Sequence, residues 1–222
     1  MADQVKAADI QPASLLILHQ LPSADNNAQS ILQQVSRKPV WFILGAQSNL
    51  STFSASQDVI SIKSTGSAQE TFGTVRSDFY SFNLSEPTRN RIQNFAPLIT
   101  PFGNYISKSP STVLLSQKIG KVETDKPLLL FAQNQEKKIG VLTGEGIWRW
   151  RLNDFEENGN HDAVNELVNK TVQYLSTNED KRKFRVVSSK SSYEENERLL
   201  FSAELYNDNY ELVNTPEVNI TL

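Results

Sequence analysis

The sequence predicts a three-layer α/β domain with a mostly parallel sheet, followed by a partial β-sandwich. Three observations carry this prediction. Two continuous apolar runs, Ser14-Leu15-Leu16-Ile17-Leu18-His19 and Val40-Trp41-Phe42-Ile43-Leu44, flank a stretch of helical periodicity. A clear amphipathic helix pattern follows later, at Val164, Leu167, Val168, Thr171, Val172 and Leu175. Beyond the charge run Thr177-Asn178-Glu179-Asp180-Lys181-Arg182-Lys183, strand patterns succeed one another without a helix. The boundaries expected are 1–180 for the α/β domain and 181–222 for the β segment.

In chain order, residues 1–12 are polar and weakly patterned. The run at 14–19 reads as a fully buried parallel strand, ended by Leu21-Pro22-Ser23. Asp25 or Asn26 caps a helix over 26–37, with Ala28, Ile31, Leu32 and Val35 on one face. Lys38-Pro39 breaks it, and 40–44 is the second strand, ending at Gly45. Strand, helix and strand with short loops make a βαβ unit with a right-handed crossover. Residues 46–76 are rich in Ser, Gln and Thr and predict an irregular or antiparallel excursion, with candidate strands at 58–62 and 81–84 and a turn at Thr65-Gly66-Ser67. Ser85-Glu86-Pro87 starts a short helix over 86–94. Residues 97–110 read as a long loop. Strands follow at 112–117, 127–132 and 138–143, the last two joined by a polar turn over 134–137. A helix is expected over 161–176, with His161 and Asp162 at its start. In the tail, 184–187, 199–206 and 218–222 are strand-like, and Asn207-Asp208-Asn209 is a hairpin turn.

Composition narrows the function classes. The chain has 222 residues and no Cys, so thiol nucleophiles, disulfides and Cys-based zinc sites are excluded within it. Its net charge is -3 with Lys and Arg scattered, which argues against nucleic acid as a partner. The two histidines, His19 and His161, lie far apart, so no metal site is expected, and no cofactor. No apolar run approaches the ~18 residues of a membrane span. Met1-Ala2-Asp3-Gln4 has no signal-peptide pattern, and a piece of a longer membrane protein would begin in this way.

The segment Lys137 to Arg151 is the most unusual in the chain. It reads as a buried strand, an acidic turn between glycines (Gly144-Glu145-Gly146), and Trp148-Arg149-Trp150-Arg151, which holds two of the chain's three tryptophans. Glu145 then lies past the carboxyl end of a strand, where open α/β sheets bind ligands; the alternative is a tight turn with Glu145 paired to a nearby Arg. In a strand, alternation sends Trp148 and Trp150 to one face and Arg149 and Arg151 to the other. The tryptophans would stack on a sugar or peptide and the arginines hold a carboxylate or phosphate. The alternative is tryptophans covering the sheet edge and arginines in surface ion pairs. His19 also follows a strand, either as an acid or base or as a hydrogen-bonded structural residue. No Gly-x-Ser-x-Gly nucleophile pattern accompanies it.

Leu18-His19-Gln20-Leu21-Pro22-Ser23, Pro101-Phe102-Gly103, Gln117-Lys118-Ile119-Gly120 and, most specifically, Gly144 to Leu152 resemble a large bacterial membrane protein. Its soluble part is similar to the class I glutamine amidotransferase-like fold, a flavodoxin-like architecture shared with trehalose-utilisation-type proteins. The likeness covers residues 3–185, and the tail resembles an immunoglobulin- or macroglobulin-like strand set. The resemblance implies a periplasmic domain tethered to the inner membrane by helices outside this chain, with one strand of the family's sheet preceding residue 1. Amidotransferases of this fold use a Cys nucleophile with His and Glu partners, and this chain has no Cys. The expected function is therefore a non-catalytic binding or scaffolding module whose partners are envelope or membrane proteins or glycans. Its site would comprise His19, Glu145, Trp148, Arg149, Trp150 and Arg151. The alternative is a hydrolase acting on a sugar or amide, with His19 and Glu145 as acid and base.

Overall fold

The computed structural model describes residues 7–35, 38–134, 137–177, 184–188, 194–205 and 213. The chain divides into two compact units, Met1–Asn178 and Glu179–Leu222. The elements of the first are α1 (Ala7–Ile10), β1 (Leu16–His19), α2 (Gln29–Val35), β2 (Val40–Ile43), α3 (Leu50–Ser56), β3 (Ile60–Val75) and α4 (Glu86–Ile92). They continue with β4 (Leu98–Ser107), β5 (Thr112–Ile119), β6 (Val122–Asn134), β7 (Lys137–Leu142), α5 (Ile147–Asn158) and α6 (Asp162–Ser176). In the second unit, β8 (Phe184–Ser188) pairs antiparallel with β9 (Phe201–Leu205). The expected turn at 207–209, the strand at 218–222 and the charges at 178–183 lie outside the described residues.

Seven strands form one sheet in the order β1-β2-β7-β6-β5-β3-β4. The βαβ unit is present: β1 and β2 run parallel with Leu16 beside Val40, and β2 runs parallel to β7 with Val40 beside Ile139. Every further pairing is antiparallel. The sheet is thus mixed, not the mostly parallel three-layer sheet expected. The reason is connection length. Parallel neighbours need a crossover of a dozen or more residues, whereas the short links between β5 and β6 and between β6 and β7 allow only a hairpin.

The largest departure is residues 97–110, expected as a loop. They form β4, an edge strand along β3. Pro101 sits opposite Ala68, and an edge strand tolerates its missing N–H. The turn expected at Thr65-Gly66-Ser67 is a register shift inside β3, between Ser64 and Ala68, with Gly66 at φ 87°. β3 pairs with β4 from Ile60 to Thr71, and only its end, Phe72 to Val75, pairs with β5. Ile99 of β4 then bridges Glu145, just beyond β7. The run from β7 through β6, β5 and β3 to β4 therefore curls back on itself as a half-barrel.

Alternation along the strands sends side chains to two cores. Leu16, Leu18, Val40, Phe42 and Val141 pack with Ile31 of α2 and Phe53 of α3, whose ring meets Phe42 edge-on at 5.1 Å. Trp41, Ile43, Phe131 and Leu142 face the other way, onto Ile92, Trp150, Val164, Leu167 and Leu175 of the α4–α5–α6 layer. Gly140 lets α6 approach β7: a Cβ there would stand 2.9 Å from Leu175 Cδ1.

Two carboxylates bind this helical layer together. Asp154 of α5 is fully buried, and its Oδ2 accepts the N–H groups of Ala163 (3.0 Å) and Val164 (3.2 Å). It therefore caps α6, where His161 makes no side-chain capping bond. Its Oδ1 pairs with Arg91 of α4 at 3.2 Å. Glu166 of α6 accepts from Ser85 N, Ser85 Oγ and Thr88 Oγ1 at the start of α4. Burial pushes the Glu166 carboxyl up, but the bonds from Ser85 and Thr88 and the charge of Lys170 outweigh it and hold it at about 2, against an ordinary 4.5.

Because the folded value is depressed, Glu166 contributes stability that is fully present above pH 4.5 and lost as pH falls toward about 2. Urea midpoints measured across this window will fall for the wild type, and Glu166→Gln will flatten that part of the decline. Asp154→Ala leaves two helix amides without their acceptor and Arg91 with only Asn160 Oδ1, without its carboxylate, and will cost about 3–5 kcal/mol in denaturant unfolding.

Candidate functional site

The carboxyl ends of the three parallel strands converge on the Glu145 turn. β2 ends at Ile43, and the chain turns through Leu44 to Gln47 into α3, which Asn49 caps by accepting from Thr52 N. Glu145 Oε2 accepts the Ala46 N–H at 2.9 Å, and Gln20 Oε1, just beyond β1, accepts the Gln47 N–H at 2.9 Å. Both side chains lie over Gly45, where a Cβ would come within 2.3 Å of Glu145 Oε2 and 2.6 Å of Gln20 Cδ. The backbone of Glu145 exchanges two 3.0 Å hydrogen bonds with Ile99. Gly144 fits against β4 because it has no side chain: a Cβ would meet Thr100 Cγ2 at 2.8 Å and Ile99 O at 3.0 Å. Two amides at a strand end are thus filled by the protein's own oxygens.

Gly146, at φ 105°, adopts a left-handed conformation that reverses the chain and starts α5. The Trp/Arg segment is therefore helical, not extended, and the expected two-faced alternation does not occur. Helical periodicity separates the tryptophans instead. Trp150 is 1% exposed, packs against Phe95 with ring centroids 5.5 Å apart and planes tilted by 31°, and donates Nε1–H to Ala96 O at 2.7 Å. Trp148 is 61% exposed and joins Leu152 (60%) and Phe155 (56%) on the outer face. The Arg149 guanidinium lies 5.4 Å from the Trp148 ring centroid, within cation–π range. Arg151 donates to Asn165 Oδ1 at 2.9 Å.

The six residues singled out by the sequence thus separate. Among the described residues Glu145 forms no ion pair, with Arg149, Arg151 or otherwise; its oxygen goes to Ala46. His19 stands exposed on β1, the edge strand, and no hydrogen bond among the described residues involves its ring. Trp150 belongs to the core, while the exposed Trp148 has the half-buried Arg149 beside it, whose guanidinium also donates to Pro97 O at 3.4 Å. Sequence reasoning missed Gln20, Leu152 and Phe155. The last two were legible: a window extended to Asn158 shows Ile147, Trp150 and Asp154 inside and Trp148, Leu152 and Phe155 outside, a helical rather than a two-residue period.

A cleft of about 1190 Å³ opens at the other end of the sheet, lined by Ser14, Pro39, Asp58 and Lys38, Lys108 and Lys137. Lys38 Nζ donates to Gln11 O and Ala13 O, and Lys108 Nζ to Ser54 O and Gln57 O. Burial lowers the Lys137 pKa, against the pull of Asp58. Two of the three lysines are thus engaged in closing backbone turns. No group of three or more His, Cys, Asp or Glu among the described residues is placed to hold a metal ion.

No family model matches the chain, and no curated protein matches it. Among solved structures it is similar to a cytoplasmic protein from Salmonella typhimurium, at 12% identity and a TM-score of 0.49 over 78% of this chain and 77% of that one. At that distance the fold is read from the chain's own topology.

The turn yields an ordered set of stabilities. Glu145→Gln keeps an acceptor for Ala46 and will change stability by less than about 0.5 kcal/mol. Glu145→Ala leaves that exposed amide to water and will cost about 0.5–1.5 kcal/mol. Gly144→Ala forces β4 away and will cost about 3 kcal/mol. Chemical denaturation of the three variants checks the order.

Proposed function

We propose that the chain is a non-catalytic binding or scaffolding module of a membrane-anchored cell-envelope protein. The observation that carries this reading is the filling of the Ala46 and Gln47 amides by Glu145 and Gln20. Oxygens of a substrate or reaction intermediate would need such donors at a strand end, and here the protein occupies them itself. Beside this sealed rim the chain exposes Trp148 with Arg149 over its ring. An exposed aromatic with an adjacent guanidinium suits a sugar ring or a protein surface. The envelope setting, with membrane helices outside this chain, rests on the sequence resemblance of Gly144 to Leu152 and its companion blocks. The hydrolase alternative needs acid and base within reach of one bond, and no hydrogen bond among the described residues joins His19 to Glu145.

Trp148 is exposed and Trp150 buried, so tryptophan emission reports on ligands at this surface. Titration with envelope glycans and envelope proteins will shift the emission of the wild type, and Trp148→Phe will abolish the shift with an unchanged melting temperature. Turnover of an amide or glycoside substrate that Glu145→Gln eliminates would defeat the module reading.

A further inference from the structure

Helix α5 carries its charges against its own dipole. Arg149 lies in the first turn and Arg151 just past it, and Glu156 and Glu157 lie in the last, with no acid at the start and no base at the end. A helix N-terminus is the positive end, so both pairs are placed unfavourably within one copy. Between them runs the exposed ridge Trp148, Leu152 and Phe155, at i, i+4 and i+7. The His161 ring stacks on Phe155 at 5.2 Å and widens it. Arg149 and Glu156 stand two turns apart on the same flank of this ridge. Neither forms an ion pair among the described residues.

We propose that α5 is a self-association surface, through which two copies of this chain pair antiparallel along Trp148, Leu152 and Phe155, with Glu156 of each copy facing the partner's Arg149. The inference rests on the binding-module reading and names the partner as a second copy of this chain. A two-fold axis across an antiparallel helix pair brings identical flanks together. With the axis beside Leu152 and Asn153, Arg149 and Glu156 lie equally far on either side of it. That register leaves Trp148 about 3 Å of helix rise from the level of the partner's Phe155, so the aromatic ends of the two ridges overlap. Antiparallel alignment also places the negative end of each α5 beside the arginines of the other, which offsets the adverse arrangement inside each copy. One short helix face gives an interface at the small end of the specific range, below about 1,200 Å² in total, so the dimer is reversible and depends on concentration.

Sedimentation velocity over a concentration series tests this. The wild type is expected to pass from monomer to dimer as concentration rises. Leu152→Glu puts a carboxylate in the seam and is expected to stay monomeric; Leu152 is exposed, so circular dichroism will be unchanged. Arg149→Glu and Glu156→Arg, taken singly, will each weaken the dimer roughly tenfold or more, and the double exchange will restore it. A monomer at every concentration overturns the proposal, including one that binds a glycan or another protein on this ridge. A dimer indifferent to Leu152→Glu, or a double exchange no tighter than the single ones, overturns it as well. Failure here leaves the module reading standing if tryptophan emission still reports a ligand, whereas substrate turnover defeats that reading whatever the mass.

Discussion

The two hydrogen bonds exchanged by Ile99 and Glu145 hold the rest of the first unit in place. They join the far edge of the sheet to the segment leaving β7, and so convert an open run of strands into a half-barrel. The same turn supplies the carboxylate that closes the end of β2 and the left-handed glycine that launches α5. Gly144, Glu145 and Gly146 therefore act at once on the edge strand, the parallel rim and the helical layer. Each glycine is needed for its own reason: Gly144 because β4 leaves no room for a side chain, and Gly146 because φ is positive. Glu145 is a latch in this arrangement, and its chemistry is that of an acceptor already engaged.

The helical layer is held by buried polar bonds as much as by apolar packing. Asp154 reaches from α5 to cap α6 and grips Arg91 of α4, and Glu166 returns from α6 to the start of α4. With Trp150 anchored to the Ala96 carbonyl, α5 has no freedom to roll. Its outer ridge is thus presented at a fixed angle, at the cost of buried charge that only its partners offset. A rigid apolar face on a well-anchored helix gives an interface a preformed surface, so little ordering is needed on binding.

Much of the first unit is legible in the sequence because local signals and tertiary needs agree. The runs before and after the Lys38-Pro39 break are strands in a parallel pair, and the 161–176 periodicity is a helix with its apolar face on the sheet. The Ser85-Glu86-Pro87 start is also a real helix beginning. The failures have particular causes. Pro101 and Gly103 make β4 look like a loop, and only its place at the sheet edge makes a proline there acceptable. Gly66 reads as a turn but marks a bulge. Trp148 and Trp150 alternate with arginines and look extended, whereas the period that matters appears only when Phe155 is included.

By itself the sequence determined the strand–helix–strand opening, the hairpin-joined strands that follow, the amphipathic last helix and the absence of thiol chemistry. These depend on residue periods and residue types, which need no distant partner. Tertiary structure alone decided that the sheet is mixed and curled, that Glu145 latches Ala46, and that one tryptophan is buried while its neighbour is exposed. Each of these turns on which segments far apart in the chain meet, Ile99 with Glu145 and Trp150 with Ala96, and no local pattern encodes such a meeting.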